Sequence, residues 1–338
     1  MRPWLRTVMR GRRRIGRAVL AGALILAAVL AVGFAMNRWE TGRYAAPAAA
    51  PTASPTPEAA SRQLEWQGET YTARPDLESY LLIGVDEMGE AVGTESYIGG
   101  GQGDVQMLLV LDNANQTWQA LQLNRDSMVE MPVLGVNGGV IGTDTAQLAL
   151  AHSYGNGREE SCENNVTTVS RLLEDQPIDG YFAVNMDAVN ILTDLAGGIT
   201  VTLNSDLTAC NPAWTEGAVV TLTGENALDF VRGRKGVEDE TNLSHMVRQR
   251  QYLTALRDEL TGRDTAFAAE VYSALADYTV ANIGSGTAQQ IAAKLNQYQE
   301  QPLLTIEGES KVVDGYWAYY LDEASLRETI ITLFYEKD

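Results

Sequence analysis

Arg232 and Arg234 stand two residues apart in Phe230-Val231-Arg232-Gly233-Arg234, and in an extended segment such side chains leave on the same face. Two guanidiniums on one face repel each other and call for an anion between them. Their planar, permanently charged forks suit phosphate. Shortly afterwards, residues 242–260 read as a helix. It carries His245, Arg248, Gln249 and Tyr252 along one side, and Leu243, Met246, Leu253, Leu256 and Leu260 along another. The cationic pair and the polar helix side are placed to converge on one charged group. A solvated charged loop ahead of an amphipathic helix is the competing reading, since exposed arginines are the norm. Upstream, Asp86 closes the apolar run Tyr80-Leu81-Leu82-Ile83-Gly84-Val85, Asp104 follows a glycine-rich loop, and Asn124-Arg125-Asp126 follows a third apolar run. Two acids and an arginine–acid pair thus stand at strand ends, where α/β sheets place their ligands.

The elements that must position these groups follow from the hydrophobic pattern. Residues 80–86 and 105–111 read as buried strands. The turn Asp112-Asn113-Ala114-Asn115 joins the second of them to a returning strand at 118–123. The glycines at 93, 99, 100, 101 and 103 make a loop without GxGxxG spacing after a strand, so no dinucleotide site is read there. Residues 145–152 predict a short helix and 163–173 a longer one. A strand at 181–185 precedes a helix at 186–195 that Gly197-Gly198 stops. Strands at 199–203 and 219–222 and a short helix at 225–231 come next. Helices at 242–260, 265–278 and 287–298, strands at 303–306 and 317–321, and a closing helix at 324–335 complete the pattern. Strands alternating with helices predict an α/β fold, a single α-β-α sandwich domain with a mixed central sheet.

The chain ends bound the setting. The first seventeen residues hold seven arginines and no acid, and residues 18–36 are apolar without a charge. That length suits a transmembrane helix, and the arginines predict a cytoplasmic N-terminus; a cleaved signal peptide is the competitor. The expected layout is a basic cytoplasmic tail at 1–17, one transmembrane helix at 18–36, an Ala/Pro/Thr/Ser-rich linker at 37–65 and an extracytoplasmic domain at 66–338. The chain carries 25 Lys+Arg against 44 Asp+Glu, and without the seven tail arginines the balance is 18 against 44. Such an acidic exterior repels nucleic acid and makes a local arginine cluster more informative. Cys162 and Cys210 lie in the exterior part, where a disulfide closing a long loop is permitted; two independent thiols are the alternative. Neither these cysteines nor His152 and His245 form a zinc motif, and there is no P-loop.

A further pattern lies in the order of short segments along residues 78–262. They are Leu82-Ile83-Gly84-Val85-Asp86, Gly103-Asp104, Asn124-Arg125-Asp126-Ser127-Met128, Ala151-His152-Ser153-Tyr154-Gly155 and Pro177-Ile178-Asp179-Gly180-Tyr181. Ala196-Gly197-Gly198-Ile199-Thr200-Val201, Leu222-Thr223-Gly224-Glu225-Asn226-Ala227, Val231-Arg232-Gly233-Arg234 and Arg248-Gln249 follow. Each alone is weak, but in this order they resemble the LytR-CpsA-Psr family of bacterial cell-envelope proteins. The resemblance implies a membrane-anchored phosphotransferase. It would move a phospho-glycopolymer (teichoic acid, capsule or a related polymer) from a polyprenyl-pyrophosphate carrier to a hydroxyl of peptidoglycan. It also implies an apolar groove for the prenyl chain, with walls expected from 181–184, 189–192 and Leu253, Leu256 and Leu260. By the same resemblance Asp86 and Asp104 hold Mg2+ (or Mn2+) and act in catalysis with Arg125. Arg125, Arg232, Arg234, His245, Gln249 and Gln102 bind pyrophosphate, and Asp126 orients Arg125. Three positions depart from the family's usual cations: Gln102, Gln147 and His245. A partly protonated His245 is one way to replace a lost charge. A non-catalytic binder of lipid-linked glycan, or a regulatory envelope protein, is the alternative; the family's older label is transcriptional attenuator. No helix-turn-helix fits in the short tail, and no nucleic-acid partner is expected.

Overall fold

The computed structural model describes residues 62–94, 99–135, 137–233, 236–238, 241–260 and 265–338. It begins with β1 (Gln63–Trp66), β2 (Glu69–Ala73), β3 (Leu77–Val85), β4 (Gly103–Asp112), β5 (Thr117–Leu123) and the hairpin of β6 (Met128–Leu134) and β7 (Val140–Gln147). Next come α1 (Leu150–Ser153), α2 (Glu159–Leu172), β8 (Gly180–Val184), α3 (Asp187–Ala196), β9 (Ile199–Thr202) and β10 (Val219–Leu222). α4 (Ala227–Arg232), α5 (Asn242–Leu260), α6 (Thr265–Leu275), β11 (Thr279–Ala281), α7 (Ser285–Gln297), β12 (Gln299–Glu300) and β13 (Leu304–Thr305) follow. The hairpin of β14 (Gly308–Val313) and β15 (Tyr316–Leu321), then α8 (Glu323–Phe334) and β16 (Tyr335–Lys337), close the chain.

The central sheet has the order β11-β8-β3-β4-β5-β12, with β13 also paired to β5. β8 runs parallel to β3, β12 and β13 run parallel to β5, and the other pairs are antiparallel. The sheet is therefore mixed, as expected. Alternation along the strands makes it two-faced. Tyr80, Leu82, Met107, Leu109, Trp118 and Ala120 enter a core with residues of α3 to α7. Leu81, Ile83, Leu108, Val110, Leu121 and Leu123 enter a second core with α1, α2 and α8. Leu81, Ile83, Leu108 and Leu121 are fully buried, and each such burial stabilises by about 1.5–3 kcal/mol. Covering on both faces explains why these strands read as continuous apolar runs.

Three expectations need correction. The short helix expected at 145–152 is strand β7 through Gln147, and only α1 is helical. Asn137-Gly138 turns the β6–β7 hairpin, with Gly138 at φ 74°. Residues 140–145 of β7 are exposed, so no apolar alternation marked them as a strand. β1 begins inside the stretch assigned to the linker, because its backbone pairs with β2, which in turn pairs with β16. Cys162 and Cys210 are both free. Cys162 packs into the core on one side of the sheet and Cys210 against the core on the other, so the sheet separates them. The tail, the transmembrane helix expected at 18–36 and most of the linker lie outside the described residues. Among the described residues no helix is long and apolar enough to cross a membrane.

Candidate functional site

Asp86 and Asp104 meet because β3 and β4 are antiparallel neighbours, with Val85 opposite Gly103 and a bulge after Gly84. Gly101, at φ 78°, turns the chain back toward β4, a conformation that favours glycine. The Asp86 N–H donates to the Gln102 carbonyl at 3.0 Å, and the Gln102 N–H donates to Asp86 Oδ1 at 2.5 Å. Arg125, just past the end of β5, closes the cluster. Its Nη1 pairs with Asp104, its Nε reaches Asp126 Oδ1 at 3.3 Å, and its Nη2 donates to Gln102 Oε1 at 3.2 Å. The Arg125 and Asp104 side chains are 13% and 14% exposed, so their charges interact with little screening by water. The sequence pointed to Asp86, Gln102, Asp104, Arg125 and Asp126 separately, and the fold places them in one hydrogen-bonded and ionic cluster. Gln102 serves Arg125 in this arrangement.

Two supporting residues had no assigned role in the sequence reading. Gln147 donates to Asp126 Oδ1 at 3.2 Å and to the Trp317 carbonyl at 2.6 Å, so it ties the arginine's brace to β15. Asn124 Oδ1 accepts from the Asp126 N–H at 3.0 Å and from Asn242 Nδ2 at 2.7 Å, which fixes the start of α5 beside the cluster. The Asn124-Arg125-Asp126 order was the only sequence signal for the latter contact.

An apolar cleft of about 720 Å³, its open mouth included, lies next to the cluster. Leu82, Val105, Val184, Val189, Leu192 and Leu253 wall it, and Arg232, His245 and Gln249 are its polar members. Val85 and Val105, the chain neighbours of Asp86 and Asp104, line it too. Of the walls expected from sequence, Val184, Val189, Leu192 and Leu253 line the cleft. Tyr181 and Ala183 belong to the opposite core, and Leu256 is fully buried in the sheet–helix core away from the lining. Nothing is described of the Leu260 side chain. Arg234 lies outside the described residues, so its partnership with Arg232 is not placed. Arg232 is exposed at the C-terminus of α4 and makes no ion pair among the described residues.

α5 differs from the simple amphipathic helix that was expected. Its polar side is buried along with most of its apolar side: His245, Arg248, Gln249 and Tyr252 are all below 4% exposed, Met246, Leu253 and Leu256 are buried too, and Leu243 is 44% exposed. Arg248 explains the burial of the polar side. Its Nε donates to the Phe230 carbonyl at 2.9 Å, its Nη1 to Glu238 Oε2 at 2.6 Å, and its Nη2 to the Gly233 carbonyl. It therefore fastens α5 to the segment that carries Arg232. Its Nη2 also faces His245 Nδ1 at 3.2 Å. The His245 Nε2 lies 2.9 Å from Gln249 Nε2. His152 is a core histidine, 1% exposed, with Nδ1 on the Gly101 carbonyl at 3.1 Å; burial holds its pKa below the usual histidine value. It lines a separate cavity of about 590 Å³ with Glu87, Glu90 and Tyr278 and no cation, which does not suit phosphate.

Asp86 and Asp104 were the expected metal ligands. Asp86 Oδ2 has no hydrogen-bond partner among the described residues, and Asp104 Oδ1 is buried with its ion pair to Arg125 but no hydrogen bond. Two carboxylates of this kind fit a magnesium-type ion, which takes one or two protein carboxylates and completes its shell with phosphate oxygens and water. No cluster of three or more His, Cys, Asp or Glu that would cage an ion alone occurs among the described residues.

The profile of the LytR_cpsA_psr family matches residues 48–334. The chain belongs to the LytR-CpsA-Psr family. This LytR-CpsA-Psr chain is 27% identical over 256 residues, 74% of its own length and 75% of the relative's, to the polyisoprenyl-teichoic acid–peptidoglycan teichoic acid transferase TagU of Bacillus mycoides (strain KBAB4). Its fold is similar to the crystal structure of protein gbs0355 from Streptococcus agalactiae, with a TM-score of 0.62, 23% identity and coverage of 76% of this chain and 86% of that one. It is also similar to a structure described as TagT bound to LI-WTA, with a TM-score of 0.57, 21% identity and coverage of 76% and 89%. These likenesses show that the mixed-sheet architecture is that of solved LytR-CpsA-Psr structures.

Proposed function

We propose that this chain transfers a phospho-glycopolymer, teichoic acid or a related polymer, from a polyprenyl-pyrophosphate carrier to a hydroxyl of peptidoglycan. One observation carries the reading: an apolar cleft with Arg232 among its lining residues abuts the Asp86–Asp104–Arg125 cluster. An apolar slot beside cations and carboxylates matches a ligand that is a lipid at one end and a pyrophosphate at the other. The name of TagU and the LI-WTA bound to TagT support the same class. The prenyl chain occupies the cleft, and Arg232, Arg234 and Arg125 clamp the pyrophosphate with Gln249 and His245. The acceptor oxygen forms a new bond to phosphorus while the bond to the prenyl phosphate breaks. Guanidiniums fixed around that phosphorus stabilise the charge that develops in the transition state. Asp86 and Asp104 would hold Mg2+ or Mn2+, which supplies Lewis-acid stabilisation of phosphoryl oxygens when bound. The arginine-rich start and the apolar 18–36 support a reading in which the domain lies outside the cytoplasmic membrane. Protease added to intact protoplasts should then digest the chain after Met36.

The assay uses the full chain in detergent, a prenyl-pyrophosphate glycan, a peptidoglycan oligomer and magnesium, with EDTA as control. Release of prenyl phosphate with glycan joined to peptidoglycan is the expected result. Val189→Trp, which fills the cleft, should suppress it. Binding of the carrier without turnover, unchanged by Asp86→Ala and Asp104→Ala, would leave the non-catalytic binding protein.

A further inference from the structure

α5 has two working sides. His245, Gln249 and Leu253 line the apolar cleft, whereas Leu243, Val247 and Arg250 line a second groove of about 770 Å³, its open mouth included. The groove's other wall is Glu307, Gly308 and Tyr319 at the base of the β14–β15 hairpin, and Asn124 is among its lining residues. Asn124 precedes Arg125, and the Tyr319 N–H donates to the Asp126 carbonyl at 2.8 Å, so the groove starts at the residues that brace the candidate centre. The cleft and the groove therefore approach the same centre from opposite sides of one helix.

Arg250 gives the groove its chemistry. Its Nη1 donates to Gln122 Oε1 at 2.5 Å, and among the described residues no carboxylate lies within ion-pair distance of it. Burial alone pushes its pKa down, with no acid to hold it up. In a domain with 18 basic against 44 acidic residues beyond the N-terminal tail, a half-buried guanidinium without an acid calls for an anion from outside. Leu243 and Val247 are 44% and 43% exposed on the groove side, and the buried Asn124 and Gln122 line its floor with their side-chain oxygens already engaged. Glu307 adds one charge of the opposite sign. A lipid tail does not fit this inventory. A strand with amide and hydroxyl groups, small apolar surfaces, and both carboxylates and amines does.

We propose that this groove binds the acceptor, an amino-sugar strand of peptidoglycan carrying short peptide stems, with a stem carboxylate on Arg250. The assignment rests on the transfer reaction proposed above. It gives each substrate one side of α5, the prenyl carrier in the cleft and the acceptor in the groove, with the reacting hydroxyl brought to Arg125.

Direct binding tests this without requiring turnover. The probes for the full chain in detergent are a peptidoglycan tetrasaccharide with free stem carboxylates, the same molecule with its carboxylates amidated, and a short prenyl-pyrophosphate glycan. The free-acid form should bind about tenfold tighter than the amidated form, the size of one charge-assisted hydrogen bond. Arg250→Gln should erase that preference, and Arg250→Lys should restore part of it. Val247→Trp, at a position already exposed, should weaken both acceptor forms about tenfold or more by filling the groove. Neither substitution should alter binding of the prenyl-pyrophosphate probe. A preference that survives Arg250→Gln, or acceptor binding untouched by Val247→Trp, overturns the assignment. Loss of prenyl-pyrophosphate binding in either variant overturns it in favour of donor phosphates in the groove. A chain that passes these tests but fails to transfer glycan loses the proposed reaction and keeps the acceptor groove.

Discussion

Arg125 contacts two carboxylates and an amide at once, and its planar fork is what lets it do so. Asp126 keeps the guanidinium in place and is itself held by Asn124 and Gln147, so the cation is oriented before any ligand arrives. Such preorganisation is where electrostatic catalysis acts, because nothing has to rotate as charge develops. Arg125→Lys keeps the charge and loses the fork. An ammonium can pair with Asp104 but cannot at the same time hold Asp126, Gln102 and a phosphate oxygen. Transfer in the assay above should fall by about ten- to a hundredfold, since a charge-assisted hydrogen bond contributes roughly 1.5–3 kcal/mol. The melting temperature should move little, and a lysine variant with full kcat would remove Arg125 from the clamp.

At the scale of elements, α5 and the segment before it form one unit through Arg248. That guanidinium is 3% exposed, and two of its acceptors are backbone carbonyls with no other described donor in the same loop. Arg248→Met keeps the length of the side chain, orphans the Phe230 and Gly233 carbonyls and removes the ion pair to Glu238, whose other carboxylate oxygen accepts from Ser205. Each buried acceptor left without its donor costs about 1–3 kcal/mol. Urea unfolding should show a loss of that order. Limited proteolysis should cut between Gly233 and Thr241 faster than in the parent protein. Because Arg232 rides on this segment, affinity for the prenyl-pyrophosphate probe should weaken as well. A variant with parent-like stability would mean that Glu238 and the carbonyls find other donors.

For the molecule as a whole, the sheet divides the domain into two cores with different titration behaviour. His152 sits in the one on the α2 side, and burial lowers its pKa. Its folded-state value lies below the unfolded value near 6.5, so the unfolded chain takes up a proton first as pH falls. The stability tied to this group is fully present above about pH 6.5 and is lost toward lower pH, by at most about 1.4 kcal/mol per pH unit. Glu78, held low in the fold by Lys294, Asn113 and Tyr80 against burial, adds a loss of the same sign only at more acidic pH. Asp179, raised by burial, works in the opposite sense as it takes up a proton. Between pH 7 and 5 the urea midpoint should therefore fall, and His152→Gln should flatten that slope whatever it does to absolute stability. The two cysteines report on the same division. Denatured without reductant, both should alkylate in full, and in the native protein Cys162 should stay unreacted because it is buried with its pKa pushed up. A mass difference of one disulfide would contradict the separation of the two cores.

Much of the architecture was written in local pattern. Runs such as Leu81 to Ile83 and Leu108 to Leu111 are apolar because both sheet faces are covered, and that property is visible residue by residue. Helix stops such as Gly197, at φ 87°, were equally local, as were Asp86, Asp104 and Arg125 at strand ends. Some of the strands that went unread are short or exposed: β12 and β16 gain their order from partners far along the chain, as β2 does from β16, whereas β1 and β7 are held in hairpins with β2 and β6. What Arg248 does was likewise beyond the pattern. In sequence it is one more charge on a helix, and only packing against residues 230–238 turns it inward and makes its helix face a buried one. The same holds for the contact of His245 with a guanidinium one turn away. It holds for Gln147, whose two partners lie 21 and 170 residues distant. Residue type and spacing determined which groups can meet a phosphate. Which of them are free to do so, and which are spent holding their neighbours, depends on long-range contacts that a linear pattern does not contain.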